Sequence, residues 1–438
     1  MNWRHTVQEI LPKVTAALDR SEVGGDDAAR AYAQNVITEQ VREHVDARSL
    51  AGKGVPDLAE ERALAEAVFD EIFRLGSLQP LVDDPDVENI DVNGCDQVWI
   101  TYADGSKTLG PPIADSDEEL VEKVRRWAAY QGQTARDFSV ARPRLHISIA
   151  GGQSRTRMGA LMGVTPRPCL SIRRHRLLDA DLDDLVYNGT LDRGMRAFLG
   201  AAVRARKDIV ITGGMGDGKT TFARALAGEI HPDERIATVE KEFELLLHEQ
   251  PDRHRDVLAM EARAENSEGL GAITLHQLIE DALRFNCRRI IVGEVRGDEL
   301  VPMLEAMNTG GNGSICTLHA DSADQVFQRM LILAGSGGLD IAADTLFRTI
   351  GMAVDFVVHL GHELRHDADG PVNRRYVSAI NEVLPPGDTT EPAVNRVYVA
   401  GPDGRAVPNT IPQCIDDLIR VGFDPGHLTG HAWTGGRT

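Results

Sequence analysis

The chain has 438 residues, enough for two or three domains with a sizeable core, and its 42% hydrophobic and 26% charged content is that of a folded globular protein. A net charge of −20 disfavours bulk electrostatic attachment to nucleic acid or an anionic membrane and leaves only a local basic patch for such a role. Five scattered cysteines lack zinc or redox spacing and read as reduced thiols of a cytosolic protein, the first residues lack the apolar core of a signal peptide, and no apolar run nears the roughly 18 residues that span a bilayer.

In chain order, residues 1–55 read as a helical N-terminal segment. Val7, Ile10, Leu11, Val14 and Leu18 fall at helical spacing, Gly24-Gly25-Asp26-Asp27 interrupts, and a second helix runs from Ala28 to about Ala47. The segment is either a cap on the next domain or a partner-docking module. Ala51–Pro56 is a linker. Residues 56–186 read as an α+β domain. A helix over Leu58–Leu75 ends at Gly76, Val87–Gly94 and Gln97–Ala103 alternate as a hairpin, and a helix covers Asp117–Gln131. Short strands follow at Leu145–Ile149, Arg155–Ala160 and Cys169–His175. Arginines gather here: Arg142, Arg144, Arg155, Arg157, Arg167, Arg173, Arg174 and Arg176. In an acidic chain such a cluster is either a solvated face or a surface for a nucleotide or an acidic neighbour.

Asp179–Leu185 and Asn188-Gly189 form a joint, and residues 187–438 make the third region. Its elements alternate: helix Leu191–Ala205, a strand from Ile209, helix Thr220–Ile230, strands Ile236–Val239 and Leu245–His248, helix Leu275–Phe285 and strand Ile290–Gly293. Helix Glu299–Asn308, strand Ser314–Leu318, helix Ala323–Ala334 and the late strands Val354–Leu360 and Arg375–Glu382 complete it. Such alternation implies a mainly parallel sheet covered on both faces, with ligands at the carboxyl ends of its strands. The tail after about Pro385 is rich in Pro, Gly and Thr and says little.

Within that region Gly213, Gly214, Met215, Gly216, Asp217, Gly218, Lys219, Thr220 and Thr221 follow an apolar strand and open a helix, in the pattern G-x-x-x-x-G-K-[ST]. Glycines let backbone N–H groups converge on phosphate oxygens, and the helix presents its positive end to the same anion. Lys219 adds a charge for the β- and γ-phosphates, and the Thr220 hydroxyl a ligand for Mg²⁺. Asp217 places an acid inside this loop, and its side chain is expected to point outward. Three further stretches follow strands. Glu294, ending Ile290–Gly293, can hold the Mg²⁺ water shell or polarise water. Glu240 opens Glu240-Lys-Glu-Phe-Glu244, whose other acids read as a charged, solvated turn. His319 ends an apolar strand and is either structural or a hydrogen-bond donor to a γ-phosphate.

These four stretches in this order resemble the secretion and pilus ATPase superfamily, and most closely its TadA/CpaF branch of tight-adherence pilus motors. In that resemblance Gly213–Thr220 corresponds to Walker A, Thr238–Leu245 to the acidic Asp box, Ile290–Glu294 to Walker B and Gly313–Ala320 to the His box. Leu78–Gly94 is similar to the opening of the family's N-terminal domain, and Gly152–Arg155 and Ser171–Arg173 to its arginine-bearing segments, which touch nucleotide phosphates. The resemblance spans roughly residues 60–385, about three quarters of the chain. Two positions depart from it: Lys241 stands where the Asp box has Asp, and Asp217 where the loop has Ser.

The resemblance implies an α/β fold, with a RecA-like P-loop ATPase domain after a smaller α+β domain and N-terminal helices. It implies ATP and Mg²⁺ as ligands and a homo-hexamer. It places the protein in the cytoplasm, peripheral at the inner face of the cell membrane, where a polytopic platform protein relays work to a pilin or secreted substrate without direct nucleic-acid contact. Glu294, Glu240 and His319 are then catalytic, Thr220 and Glu294 hold Mg²⁺ partly through water, and Arg155 and Arg173 clamp the nucleotide. The competing expectations are a RecA-like nucleic-acid translocase and a nucleotide-binding regulatory subunit of low turnover.

Overall fold

The computed structural model divides into two compact units, Met1–Arg176 and Leu177–Thr438. It describes residues 3–18, 26–52, 54, 56–131, 138–151, 154–174, 177–263, 265, 270–309, 312–336, 341–367, 370–387 and 390–429. Gly24, Gly25, Gly152, Gln153, His175, Arg176 and the side chain of Arg155, all singled out by sequence, lie outside the described residues.

In the first unit, α1 (Trp3–Leu18), α2 (Asp26–Leu50) and α3 (Leu58–Phe73) form a bundle. The predicted stripe is its seam: Val7, Ile10 and Val14 pack with Ile37, Val41, Leu64 and Val68. The carboxylate of Asp57 accepts from Glu60 N at 2.8 Å, and the Glu60 carboxylate accepts from Asp57 N at 3.0 Å. This reciprocal cap starts α3 after the linker. Gln8 donates to Asp115 at 2.8 Å and Arg4 pairs with the same carboxylate, so α1 caps its own unit.

Beyond α4 (Gln79–Asp83), the strands β1 (Val87–Asn93), β2 (Val98–Tyr102), β3 (Lys107–Gly110), β4 (Arg144–Gly151), β5 (Ser154–Leu161) and β6 (Cys169–Arg174) form an antiparallel sheet. Their order is β3-β2-β1-β6-β5-β4. The helix α5 (Asp117–Gln131) covers it through Leu120, Val124 and Trp127. Arg167 is committed to structure: it donates to Asp117 and Asp96 at 2.7 Å, and it holds the Asp117 carboxyl down at about 2.

In the second unit α6 (Leu182–Tyr187), α7 (Arg193–Arg204), β7 (Ile209–Gly213), α8 (Lys219–Ala227), β8 (Ile236–Glu240), β9 (Val257–Glu261), α9 (Leu275–Arg284) and β10 (Arg289–Val295) come first. Next come α10 (Leu300–Asn308), β11 (Ile315–His319), α11 (Val326–Ser336), α12 (Ala343–Ala353), β12 (Phe356–Asp367), β13 (Gly370–Leu384), β14 (Ala393–Ala400), β15 (Ala406–Pro408) and α13 (Ile415–Arg420). The sheet order is β15-β14-β13-β12-β7-β11-β10-β8-β9. From β12 to β9 every pairing is parallel, and the three at the other end are antiparallel.

Side chains along β7 alternate between two cores. Ile209 and Ile211 face the layer with α7 and α8, and Val210 faces the layer with α9 to α12. One strand, β11, separates β7 from β10, the order of RecA-like sheets. The fold is therefore the expected α/β class. Among the described residues no helix is long and apolar enough to cross a membrane.

One expectation is corrected. Leu245–His248 is not a strand: the Glu240 carboxylate accepts from Glu244 N and Leu245 N, which folds the chain back into a turn, and the edge strand is β9. In the tail, where the sequence says little, β14, β15 and α13 extend the sheet and its core. Phe198 on α7 meets Phe356, Tyr398 and Phe423 edge-on, with ring centroids 5.3, 5.5 and 5.6 Å apart, and this aromatic contact anchors the tail.

At the amino edge of the sheet Arg289 is 1% exposed. It donates to Glu234 at 2.9 Å, Val203 O at 2.9 Å and Gly313 O at 3.1 Å. Removing Arg289 leaves the buried Val203 and Gly313 carbonyls without this donor, while Glu234 keeps Arg206. Arg289→Ala is expected to cost about 1–3 kcal/mol, read as a lowered urea midpoint of the second unit's transition; an unchanged midpoint would show these bonds to be dispensable.

Candidate active site

Strand β7 is wholly buried, and the loop it feeds owes its path to backbone geometry at glycines. Gly216 and Gly218 have φ of +83° and +88°, and a Cβ on Gly213 would stand 2.9 Å from Leu360 O. Gly218 ends the loop, and α8 begins at Lys219. Met215 is 84% exposed, so its part in the loop is its backbone. Gly214, Thr220 and Thr221 are partly exposed.

Lys219 is buried to 7%. Its Nζ donates to Gly213 O at 3.0 Å and Gly214 O at 2.6 Å, and lies 3.1 Å from His319 Nδ1. A donor facing Nδ1 makes that nitrogen the acceptor and puts the ring proton on Nε2. Nε2 stands 2.9 Å from Glu294 Oε1. Burial and the Lys219 charge push the His319 ring below its ordinary pKa, against the pull of Glu294, which keeps it neutral.

The other Glu294 oxygen accepts from Arg296 at 2.5 Å. Burial raises this carboxyl, but Arg296 and, behind it, Lys219 outweigh burial and hold it below the usual range. Lys219, His319 and Glu294 thus form one line across β7, β11 and β10. The topology explains it: β11 lies between the other two strands, and His319 is in register with Gly213.

Glu240, at the end of β8, is 2% exposed. Its Oε1 accepts from Leu245 N at 2.8 Å and Glu244 N at 3.0 Å, while its Oε2 is buried without a hydrogen-bond partner. Burial pushes this carboxyl up to about 7, against those two N–H groups. A Cβ at residue 293 would stand 3.1 Å from Glu240 Cγ, which accounts for the glycine before Glu294.

The turn after Glu240 is not merely a solvated run of acids. Thr220 donates from its hydroxyl to Glu244 at 3.3 Å, and Arg224 on α8 holds the turn through Leu245 O at 2.9 Å and Glu244 O at 2.5 Å. Lys241 is exposed. The expectation for Asp217 is reversed. Its side chain turns inward, 9% of the residue exposed, and accepts from Gly214 N at 2.5 Å. An acid there satisfies a backbone donor of the loop.

Lys219, Thr220, Glu240, Glu294 and His319 are brought together in the second unit, whereas Arg155 on β5 and Arg173 on β6 belong to the first. The Arg173 side chain is exposed. Glu244, Arg224 and Arg375, whose Nε donates to Gly216 O at 2.7 Å, are the contributors that sequence did not single out. The spacing of Glu244, four residues after Glu240, was the one available signal.

For a divalent cation the donors are hard oxygens: Thr220 Oγ1, the unpartnered Glu240 Oε2 and the Glu294 carboxylate. Among the described residues no group of three His, Cys, Asp or Glu converges on a metal position. That combination suits Mg²⁺, which binds through one or two protein oxygens and substrate phosphates rather than a protein cage.

The family described as "Type II/IV secretion system protein" matches residues 112–373. A putative conjugal transfer protein of Mycobacterium tuberculosis (strain ATCC 25618 / H37Rv) is 35% identical over 299 residues, 67% of this chain and 82% of that protein. The type IV secretion system protein VirB11 of Brucella suis biovar 1 (strain 1330) is 27% identical over 356 residues, covering 74% and 92%. The solved structure of the Legionella pneumophila ATPase DotB aligns with a TM-score of 0.47 at 17% identity, over 68% of this chain and 78% of that one.

The raised Glu240 carboxyl gives a stability test. The folded state keeps its proton to about 7, while the unfolded chain releases it near 4.5. Stability from this residue is greatest below the lower value and declines as pH rises to the upper one. Glu240→Gln keeps the acceptor and loses the charge. Its melting midpoint is expected to gain on wild type between about pH 4.5 and 7 and to stay ahead above, by roughly 5 °C; a constant gap from pH 5 to 8 would refute the buried charge.

Proposed function

The chain belongs to the type II/IV secretion system protein family, and from that membership we propose that it hydrolyses ATP to ADP and phosphate to drive a secretion or pilus machine. The observation that carries this reading is the line Lys219–His319–Glu294 at the carboxyl edge of the sheet. It sets a phosphate-binding cation, a neutral ring and a strand-end carboxylate side by side.

The loop N–H groups and Lys219 bind the phosphates. Lys219 exchanges its contacts, the one to His319 included, for phosphate oxygens. His319, its tautomer no longer set by Lys219, then senses the γ-phosphate by donating an N–H to it. Glu294 orients or deprotonates the attacking water, and Glu240 supports it from the neighbouring strand. Mg²⁺, when bound, would neutralise charge on the β- and γ-phosphates, with Thr220 and, through water, Glu294 as its protein ligands. Arg155 and Arg173 complete the nucleotide site when the first unit closes, and loss of the γ-phosphate loosens that clamp.

Head-to-tail contacts of this kind close into a ring, here a homo-hexamer. The ring works in the cytoplasm against a polytopic inner-membrane protein and serves a tight-adherence or type IV-like pilus, or type II/IV-like export. The VirB11 and conjugal transfer relatives support a motor of this class.

Steady-state ATPase assays with ADP binding test the assignment. Lys219→Ala is expected to abolish nucleotide binding. Glu294→Gln should retain binding and lose about 10²-fold or more in kcat. Turnover unchanged in Glu294→Gln would sink the mechanism, and ATPase stimulated many-fold by DNA would favour a translocase.

A further inference from the structure

The β12–β13 hairpin overhangs the phosphate loop. Strand β12 pairs with β7 only over Phe356–His359, then runs on with β13 alone to Asp367. Its side chains reach down onto the loop at several points. His359 Nδ1 is 2.8 Å from the Thr212 hydroxyl. Leu360 O is the backbone atom against which Gly213 packs, and Arg375 on β13 holds Gly216 O.

The remaining contact concerns the acid within the loop. Asp217 Oδ2 accepts from Gly214 N, and Oδ1 lies 3.5 Å from His362 Nδ1. The other ring nitrogen of His362 stands 2.6 Å from Asn373 Oδ1. Both partners are acceptors, and His362 stands between them as the donor side chain of the hairpin. The charged and titratable groups around this pair are Asp217 on the loop, Arg375 as the cross-strand neighbour of His362, His359 further along β12 and Lys219 behind the loop.

We propose that His362 is a positioning residue of the nucleotide site, a brace whose contact with Asp217 makes an acid tolerable within the phosphate loop. Without that contact, a carboxylate three residues from Gly214 repels the incoming polyphosphate. It is also free to leave Gly214 N and let the loop relax. With it, the acid is tied on one side to loop backbone and on the other to the hairpin, and the hairpin's position is communicated to the phosphates. His362 touches no phosphate and takes no part in water attack. Its influence is on binding.

This inference rests on the nucleotide-site reading above, and the experiment separates the two. ADP affinity, and KM and kcat for ATP, are measured on full-length wild type, His362→Gln, Asp217→Ser and the double variant, with thermal melts to verify folding. His362→Gln is expected to weaken ADP binding and raise KM about tenfold with a much smaller effect on kcat, the size of one lost contact that positions the loop. In the double variant the charge that needed a partner is gone, so KM and ADP affinity should return to within about twofold of Asp217→Ser alone. A tenfold loss that persists in the Asp217→Ser background overturns the brace, as does a His362→Gln protein with wild-type affinity. Failure of the wild-type protein to bind ADP would instead overturn the nucleotide site, and the brace with it.

Discussion

A buried ammonium must spend every donor it has, and Lys219 spends its own on two loop carbonyls and one ring nitrogen. That constraint fixes more than the lysine. It turns the Gly213 and Gly214 carbonyls inward, sets the tautomer of His319 and so leaves the ring's one proton on the nitrogen that lies 2.9 Å from Glu294. Because β11 is threaded between the loop strand and the Glu294 strand, three residues far apart in sequence reach one line. The parallel sheet supplies the rest: strands that run the same way end at the same edge, and each ends on a polar residue after an apolar run.

That last property is why so much of the site was legible in the sequence. Glu240, Glu294 and His319 each follow four or so apolar residues, and the loop announces itself by its glycines. The α/β class, the N-terminal helical seam and the β1–β2 hairpin were equally visible as periodicity. The missed contributors lack such a local signature. Arg375 meets the loop from 159 positions away, and His362 sits in a strand whose sequence reads as surface. The inward turn of Asp217 follows from an unpaired backbone donor three residues earlier, which no pattern of side chains displays. The tail escaped notice because its strands are short and divided by Pro and Gly, and its order comes from an aromatic contact with α7.

Glu240 shows the stability that function withholds. Its carboxylate is desolvated, only one of its oxygens is satisfied, and its neighbour at 293 has given up a side chain to make room. Asp208, just before β7 at the opposite edge of the sheet, is likewise pushed by burial up to about 8, yet its carboxylate accepts from Gly313 N at 3.0 Å and Ser314 N at 2.8 Å. The amino edge of the sheet therefore carries an acid that secures backbone, and the carboxyl edge one with an oxygen to spare. A spare acceptor in a dry site is what an incoming water or cation shell can occupy.

The Phe198 contact also bears on how the chain comes into being. Phe198 precedes the phosphate loop, whereas Tyr398 and Phe423 lie some two hundred residues after it, and all three share the core that backs Ile209 and Ile211. Such contacts raise the mean sequence separation of the fold, and loop closure must precede their reward. During synthesis the part of this core around Phe198 therefore stays open until the segment around Phe423 has emerged.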